Sequence, residues 1–156
     1  LNNKMNIPII NRTSFYNLRA DGKHVIIDFN KTDIFIPELI NIELKPSENV
    51  TGNFDIVTND KEIYSIKGWA IIFGANSIKD NVKLLLIGGS KIYVSELSKE
   101  KRLDVSEAMN GQYNDSGFSG KINTNTMDKG VYKLGLIIEN ENEKKILIKD
   151  NKITVK

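Results

Sequence analysis

Arg102 and Asp104 stand two residues apart, so an extended backbone sets a guanidinium and a carboxylate on one side, and Asn114 and Asp115 follow across a short helical turn. Two chemistries are open to this group. One is a charge-paired Arg–Asp staple that locks a long crossover in place. The other is a polar ligand site built from Arg102, Asp104, Asn114 and Asp115. Asp and Asn oxygens in a loop suit calcium, but the Asp-x-Asp-x-Asp spacing of a dedicated calcium loop is missing, so no metal site is assigned. Two aromatic residues could supply the flat apolar face on which a sugar ring stacks. Trp69 is the single tryptophan, and Tyr113 lies in a loop rich in Asn, Gln and Gly, where an exposed ring is expected. Phe118 and Tyr132 fall within strand-like patterns and are expected in the core.

Other chemistry is excluded by residue type. With no cysteine and one histidine, His24, the chain cannot make a disulfide, a thiolate zinc site, a cysteine nucleophile or a site needing two histidines. His24 could still act as a base, but no serine stands in a nucleophile-elbow setting beside it, and a strand histidine is the simpler reading. Asp and Glu are plentiful, yet no pair is singled out for glycoside hydrolysis. None of the glycines forms a phosphate-cradling loop between a strand and a helix. No catalytic residue and no cofactor are therefore assigned, and the chain is not expected to be an enzyme.

The 22 basic and 20 acidic residues give a net charge of +2 and are spread along all 156 positions, so no basic face points to a nucleic-acid partner. The longest apolar run, residues 69–73, is five residues against the roughly 18 that a membrane-spanning helix needs, so no span is expected.

Strands must position these groups. Isoleucine and valine dominate the apolar set, in short runs punctuated by Gly, Asn and Asp. Strands are expected over 24–29, 39–44, 54–57, 62–73, 82–87, 91–97, 117–122, 131–139, 144–148 and 152–155. Their close spacing predicts an all-β antiparallel sandwich with an N-terminal β extension. Gly88-Gly89 should supply the positive φ angles of a tight hairpin. Asn140 to Glu143 and Asp150-Asn151 should separate three strands of a C-terminal meander. One helical turn is expected over 105–109, capped by Asp104 with Glu107 reaching back and stopped at Asn110-Gly111. Strict alternation puts Tyr64, Ile66, Ala70 and Ile72 on one strand face and Lys67, Trp69, Ile71 and Phe73 on the other. A bulge at Gly68 would instead bring Trp69 into phase with Ile66 and bury it in the core.

The stretch 45–52, with proline and little apolar material, reads as a linker between an extension over 1–48 and a sandwich module over 52–156. The extension would pack on the module or connect it to a parent protein, because the chain opens on Leu1 and reads as a piece of something longer. The 19 Asn, 19 Lys and 23 Ile against three Arg suggest a bacterium with AT-rich codons.

An ordered set of landmarks runs through the module. It comprises Asn53-Phe54-Asp55, Ile66-Lys67-Gly68-Trp69-Ala70, Tyr93, Arg102-Leu103-Asp104-Val105, Asp115-Ser116-Gly117-Phe118 and Gly130-Val131-Tyr132-Lys133-Leu134-Gly135. Over residues 52–135 the chain resembles the small Ig-like β-sandwich accessory domains appended to bacterial membrane proteins and glycosyltransferases of surface-polysaccharide assembly. It departs from that pattern at Leu103, where proline is frequent, and at Ile71-Ile72, where an aromatic is frequent. The resemblance implies an Ig-like fold and a non-catalytic role, extracytoplasmic in the cell envelope, beside an enzyme or transporter that belongs to the parent protein. The resemblance implies no substrate; on the reading of the residues themselves the partner is a surface glycan or another region of the parent, met at Trp69, Tyr113, Arg102, Asp104, Asn114 and Asp115. A protein-interaction or oligomerisation domain, working through open sheet edges, is the alternative.

Overall fold

Alternating β-branched and polar residues between short turns commit the chain to strands, and strands with one apolar face must pair face to face to bury it. The computed structural model describes residues 34–156, and Phe35–Lys156 forms one compact unit. The strand expected over 24–29 and His24 lie outside the described residues.

The described chain is an all-β sandwich. In order it runs β1 (Ile34–Phe35), β2 (Glu38–Ile40), β3 (Val50–Asp60), β4 (Ile63–Ile72), β5 (Asn81–Ile87), β6 (Ile92–Ser95) and β7 (Ser98–Glu100). Helix α1 (Leu103–Met109) follows, then β8 (Gly117–Asn123), β9 (Gly130–Glu139) and β10 (Lys144–Val155). One sheet has the order β1-β8-β4-β3, with β7 also on β8, and the other has β10-β9-β5-β6-β2. The ladders joining β3 to β4, β4 to β8 and β7 to β8 are antiparallel, as are those joining β2, β6, β5, β9 and β10.

The core lies between the sheets. Ile66, Ala70, Ile72, Phe118 and Ile122 meet Leu84, Leu86, Leu134, Leu136 and Ile138 there, all essentially without exposure. Tyr93 and Tyr132 cross edge to face at 5.8 Å and 70°, and Phe54 and Phe118 at 5.6 Å and 71°. Tyr64 closes one end, where its hydroxyl donates to the Thr154 carbonyl at 2.7 Å and accepts from the Thr154 amide at 3.3 Å.

The second sheet is apolar on its outer face too. Leu85, Ile137 and Ile146 are buried there under the segment 41–48, which leaves β2 and lays Ile42 and Leu44 across them. Ser47 ends this crossing on β10, donating from its amide to the Ile146 carbonyl at 2.9 Å and accepting the Ile146 amide on its hydroxyl at 2.9 Å. The strand expected over 39–44 is accordingly only three residues long, because Ile42 and Leu44 serve as a cover and not as ladder residues.

Three expectations are corrected. The Trp69 slip does not occur, because the bulge sits on β3 between Phe54 and Ile56, opposite Gly68. There the extra residue lets Phe54 and Val57 both face the core, and β4 keeps strict alternation. The C-terminal meander has two strands and not three: β9 and β10 pair across the turn at 140–143 as expected, but residues 149–151 form an irregularity within β10 and no turn. The Gly88-Gly89 hairpin joins β5 to β6 as expected, but through a loop of Gly88 to Lys91 closed by the Gly88 amide on the Lys91 carbonyl at 2.8 Å, with no positive φ at either glycine. Space, not handedness, selects Gly88, because a Cβ there would stand 2.8 Å from the Tyr132 ring.

Candidate functional site

Arg102 is the residue from which the expected polar cluster is built. It ends the extended run after β7 and is the N-cap of α1, but its backbone there (φ −140°, ψ 76°) carries no side-chain cap. Asp104 is not the cap that the sequence suggested. It sits inside the first helical turn and turns back, so that both of its oxygens accept from Arg102, Oδ1 from Nε at 2.9 Å and Oδ2 from Nη2 at 2.8 Å. The remaining nitrogen, Nη1, donates to Asp55 Oδ2 at 2.7 Å.

Asp55 is the bulged residue of β3, and Asn53 donates to its other oxygen at 2.8 Å. The Arg102 stem lies over Gly117 of β8, where a Cβ would stand 2.6 Å from Arg102 Cγ. Gly117 and Asn53 both pair with Trp69 in the register. The arginine therefore spans β8, β4 and β3 at the level of Trp69.

Asn114 and Asp115 adjoin this staple without joining it. The Asn114 carbonyl accepts the Arg102 amide at 2.7 Å. Asp115 pairs with Lys101 at 2.5 Å and donates its amide to Ser77 Oγ at 2.9 Å. All three guanidinium nitrogens are engaged by carboxylates of the same fold, which is the staple reading of the Arg–Asp spacing. Among the described residues no group of three or more His, Cys, Asp or Glu side chains is placed to hold a metal ion.

Pairing shifts both charges outward. Hydrogen bonding to Asp104 lifts the Arg102 guanidinium above its usual range, and Arg102 holds the Asp104 carboxyl at about 2 against an ordinary 3.8. Because the folded value lies below the unfolded one, the stabilisation this pair supplies is complete above the unfolded pKa of about 4 and is lost as the pH falls through about 2. Asp104 is 67% exposed, so salt screens the pair and its share of total stability is small. Carboxyl-detected NMR titration should show Asp104 at its depressed value in the parent and back in the usual range in Arg102→Met. An ordinary Asp104 titration in the parent would refute the staple.

The two aromatics divide differently from the expectation. Tyr113 is not exposed: it is 5% accessible and packs with Ile71 and Val105, with half-buried Trp69 against them, between α1 and the outer face of β4. The Tyr113 hydroxyl accepts the Gly74 amide at 3.0 Å. Tyr113 is therefore not a free stacking platform, and Trp69 is partly covered.

Among the described residues the exposed ring is Phe73, which the sequence reading left as the last residue of a strand face. It is 50% exposed, directly after β4, and Gly74 (φ 84°) turns the chain there. A groove of about 290 Å³ runs beside it, between this loop and the β9–β10 turn, with Asn76, Lys79, Asn140, Glu141 and Asn142 in its walls. An aromatic immediately before a strand-ending glycine, followed by Asn76, was the available signal.

Asn140 holds the groove together. Its Oδ1 accepts the amides of Asn142 at 2.9 Å and Glu143 at 3.0 Å, shaping one wall. Its Nδ2 donates at 3.0 Å to Asp80, which follows the 3-10 turn Ser77–Lys79 of the other wall. Lys79 and Glu141 pair across the two walls at 3.6 Å. Asp80 is 4% exposed, and its Oδ2 has no hydrogen-bond partner among the described residues. Lys99 donates to the Ser77 carbonyl at 2.6 Å and to that of Asp80. Burial pushes the Asp80 carboxyl up and the Lys99 ammonium down.

No protein-family model, curated protein or solved structure matches this chain.

Proposed function

We propose that residues 35–156 are a non-catalytic, Ig-like accessory module of a larger bacterial cell-envelope protein, extracytoplasmic, which contacts glycan through the groove beside Phe73. The observation that carries this reading is the half-exposed Phe73 ring set against amide and carboxylate side chains on pinned walls. The C–H face of a sugar ring packs on such a π surface while its hydroxyls exchange hydrogen bonds with Asn, Glu and Lys groups. Walls already fixed by Asn140 lose little freedom when a ligand arrives. The Arg102 cluster then serves as a brace that keeps the crossover and α1 rigid.

Edge chemistry at β10, β3 and β2 argues against self-association through those strands. The outer strand β10 is rich in lysine and interrupted at 149–151, β3 is bulged at Asp55, and β2 is three residues long after Pro37. Each of these features discourages another chain from adding to the sheet.

Calorimetric titration against a panel of neutral and charged oligosaccharides tests the proposal. At least one should bind, and Phe73→Ala should weaken it by about tenfold, the worth of one stacking contact, while Phe73→Tyr retains it. A panel with no binding at millimolar concentration, or binding indifferent to Phe73→Ala, removes the groove as a glycan site.

A further inference from the structure

The end of the sandwich opposite Phe73 carries a larger opening, lined by three lysines. The β3–β4 turn, the 3-10 turn Thr124–Thr126, Met127 and Lys129 before β9, and the end of β10 surround a cleft of about 720 Å³. Lys61, Lys129 and Lys156 stand around it, and Glu62 is its single acidic lining residue. Lys67, Lys79, Lys83, Lys91, Lys101 and Lys145 each pair with a carboxylate elsewhere on the surface. The three cleft lysines have no such partner among the described residues, as is also true of Lys45, Lys121, Lys133, Lys144, Lys149 and Lys152, and what distinguishes the three is that they surround one concavity. In a chain with 22 basic and 20 acidic residues, this is a local excess of positive charge in a concave site, where the field is focused.

The cleft is also held in shape. Lys61 takes φ 55° at the β3–β4 turn, where Asn59 Nδ2 donates to its carbonyl at 3.0 Å. Thr124 donates to the Glu62 carbonyl from its hydroxyl at 2.8 Å and its amide at 3.0 Å, which joins the 3-10 turn to that corner. The Tyr64–Thr154 clasp joins the two sheets at the same place. Three lysines from three separate elements, around a volume too large for one small anion, suit several oxyanions spaced along a chain.

We propose that this cleft binds a chain-like polyanion through its carboxylate or phosphate groups, independently of the groove at Phe73. The ammonium groups supply the attraction, while Thr124 and Tyr64, whose hydroxyl protons are donated within the fold, shape the floor.

Two probes separate the sources of charge: a galacturonic acid trimer for carboxylate and inorganic tripolyphosphate for phosphate, with maltotriose as the neutral control. Calorimetry at low ionic strength should show binding of one or both anions and none of maltotriose at this site. Raising the salt, or the combined substitution Lys61→Gln, Lys129→Gln and Lys156→Gln, should weaken it by about tenfold or more, while the corresponding Arg substitutions retain it. These lysines are on the surface, and an unchanged thermal midpoint confirms that the variants fold. Phe73→Ala should leave anion binding untouched, which separates this site from the groove. Absence of binding by both anions at millimolar concentration, or equal binding to the parent and the triple Gln variant, overturns the proposal.

Discussion

Gly68→Ala should cost the sandwich about 3 kcal/mol or more, at the upper end of what overpacking a core costs. A Cβ at residue 68 would stand 2.1 Å from the Asn53 carbonyl oxygen and 2.8 Å from Phe118 Cζ. The phenyl ring can turn, but the carbonyl cannot. It belongs to β3, one residue before Phe54, whose register partner is Gly68 itself, and the bulge begins immediately beyond. Moving it means opening the β3–β4 ladder beside the Asp55 bulge that anchors Arg102.

A second substitution identifies which contact dominates. Phe118 is 1% exposed, so Phe118→Ala alone should cost about 3–5 kcal/mol through the cavity it leaves. Phe118→Leu placed on Gly68→Ala should recover only the ring's share of the loss. Urea unfolding of the single and double variants measures both quantities. A loss below about 1 kcal/mol for Gly68→Ala would mean that β3 yields easily and that the Asn53 carbonyl does not hold the ladder closed.

Gly68 also shows where a sequence stops being informative. A glycine inside a strand pattern signals either a bulge or a close backbone approach, and the choice depends on the neighbouring strand. Alternation through Ile66, Ala70 and Ile72 was legible because both periods and partners agree with it, and so was the Gly88 hairpin between β5 and β6. The bulge itself was not, because its trace lies in β3, where Phe54 and Val57 face the same side only if one residue is skipped. Asp150-Asn151 misled for the converse reason. Turn-forming residues also fit an irregularity within one strand, and only pairing with β9 on both sides shows that β10 continues.

The candidate site was legible to a similar degree. Two-residue spacing announced the Arg102–Asp104 pair, since it needs only local chain. Asp55, its third member, lies 47 positions away and arrives through sheet register, which no local pattern encodes. The segment 41–48 was ambiguous for an energetic reason. Its Ile42 and Leu44 alternate as a strand's would, but they bury against a second sheet whose outer face is itself apolar, an arrangement visible only once both layers exist.

Tyr113→Ala should destabilise the protein by about 3–5 kcal/mol, the range for deleting a buried aromatic side chain. A polar, glycine-containing loop predicts an exposed ring, and the cost of this substitution measures how far from exposed it is. The ring fills the space between Ile71 on the outer face of β4 and Val105 of α1, and Gly111 gives it room, since a Cβ there would stand 2.4 Å away. Ser106 organises the return of the chain, donating from Oγ to the Gly111 carbonyl at 2.5 Å and accepting the Tyr113 amide at 3.2 Å. Without the ring, α1 retains little apolar cover, and a seven-residue helix does not persist on local bonds alone.

Tyr113→Phe separates packing from the hydroxyl. It keeps the ring and loses the bond to the Gly74 amide, so its cost should be about 1 kcal/mol. Gly74 follows Phe73 at the rim of the proposed glycan groove, and this amide is its tie to the α1 cluster. Hydrogen exchange should therefore accelerate at Gly74 in Tyr113→Phe while the core strands stay protected. In Tyr113→Ala, residues 103–116 should lose protection as well. If Tyr113→Ala unfolds at the parent's urea concentration, the ring is not structural and Tyr113 returns as a surface contact residue. If only the Gly74 amide responds to Tyr113→Phe, the hydroxyl acts as a positioning group for Phe73, and any glycan affinity should fall in that variant with little change in stability.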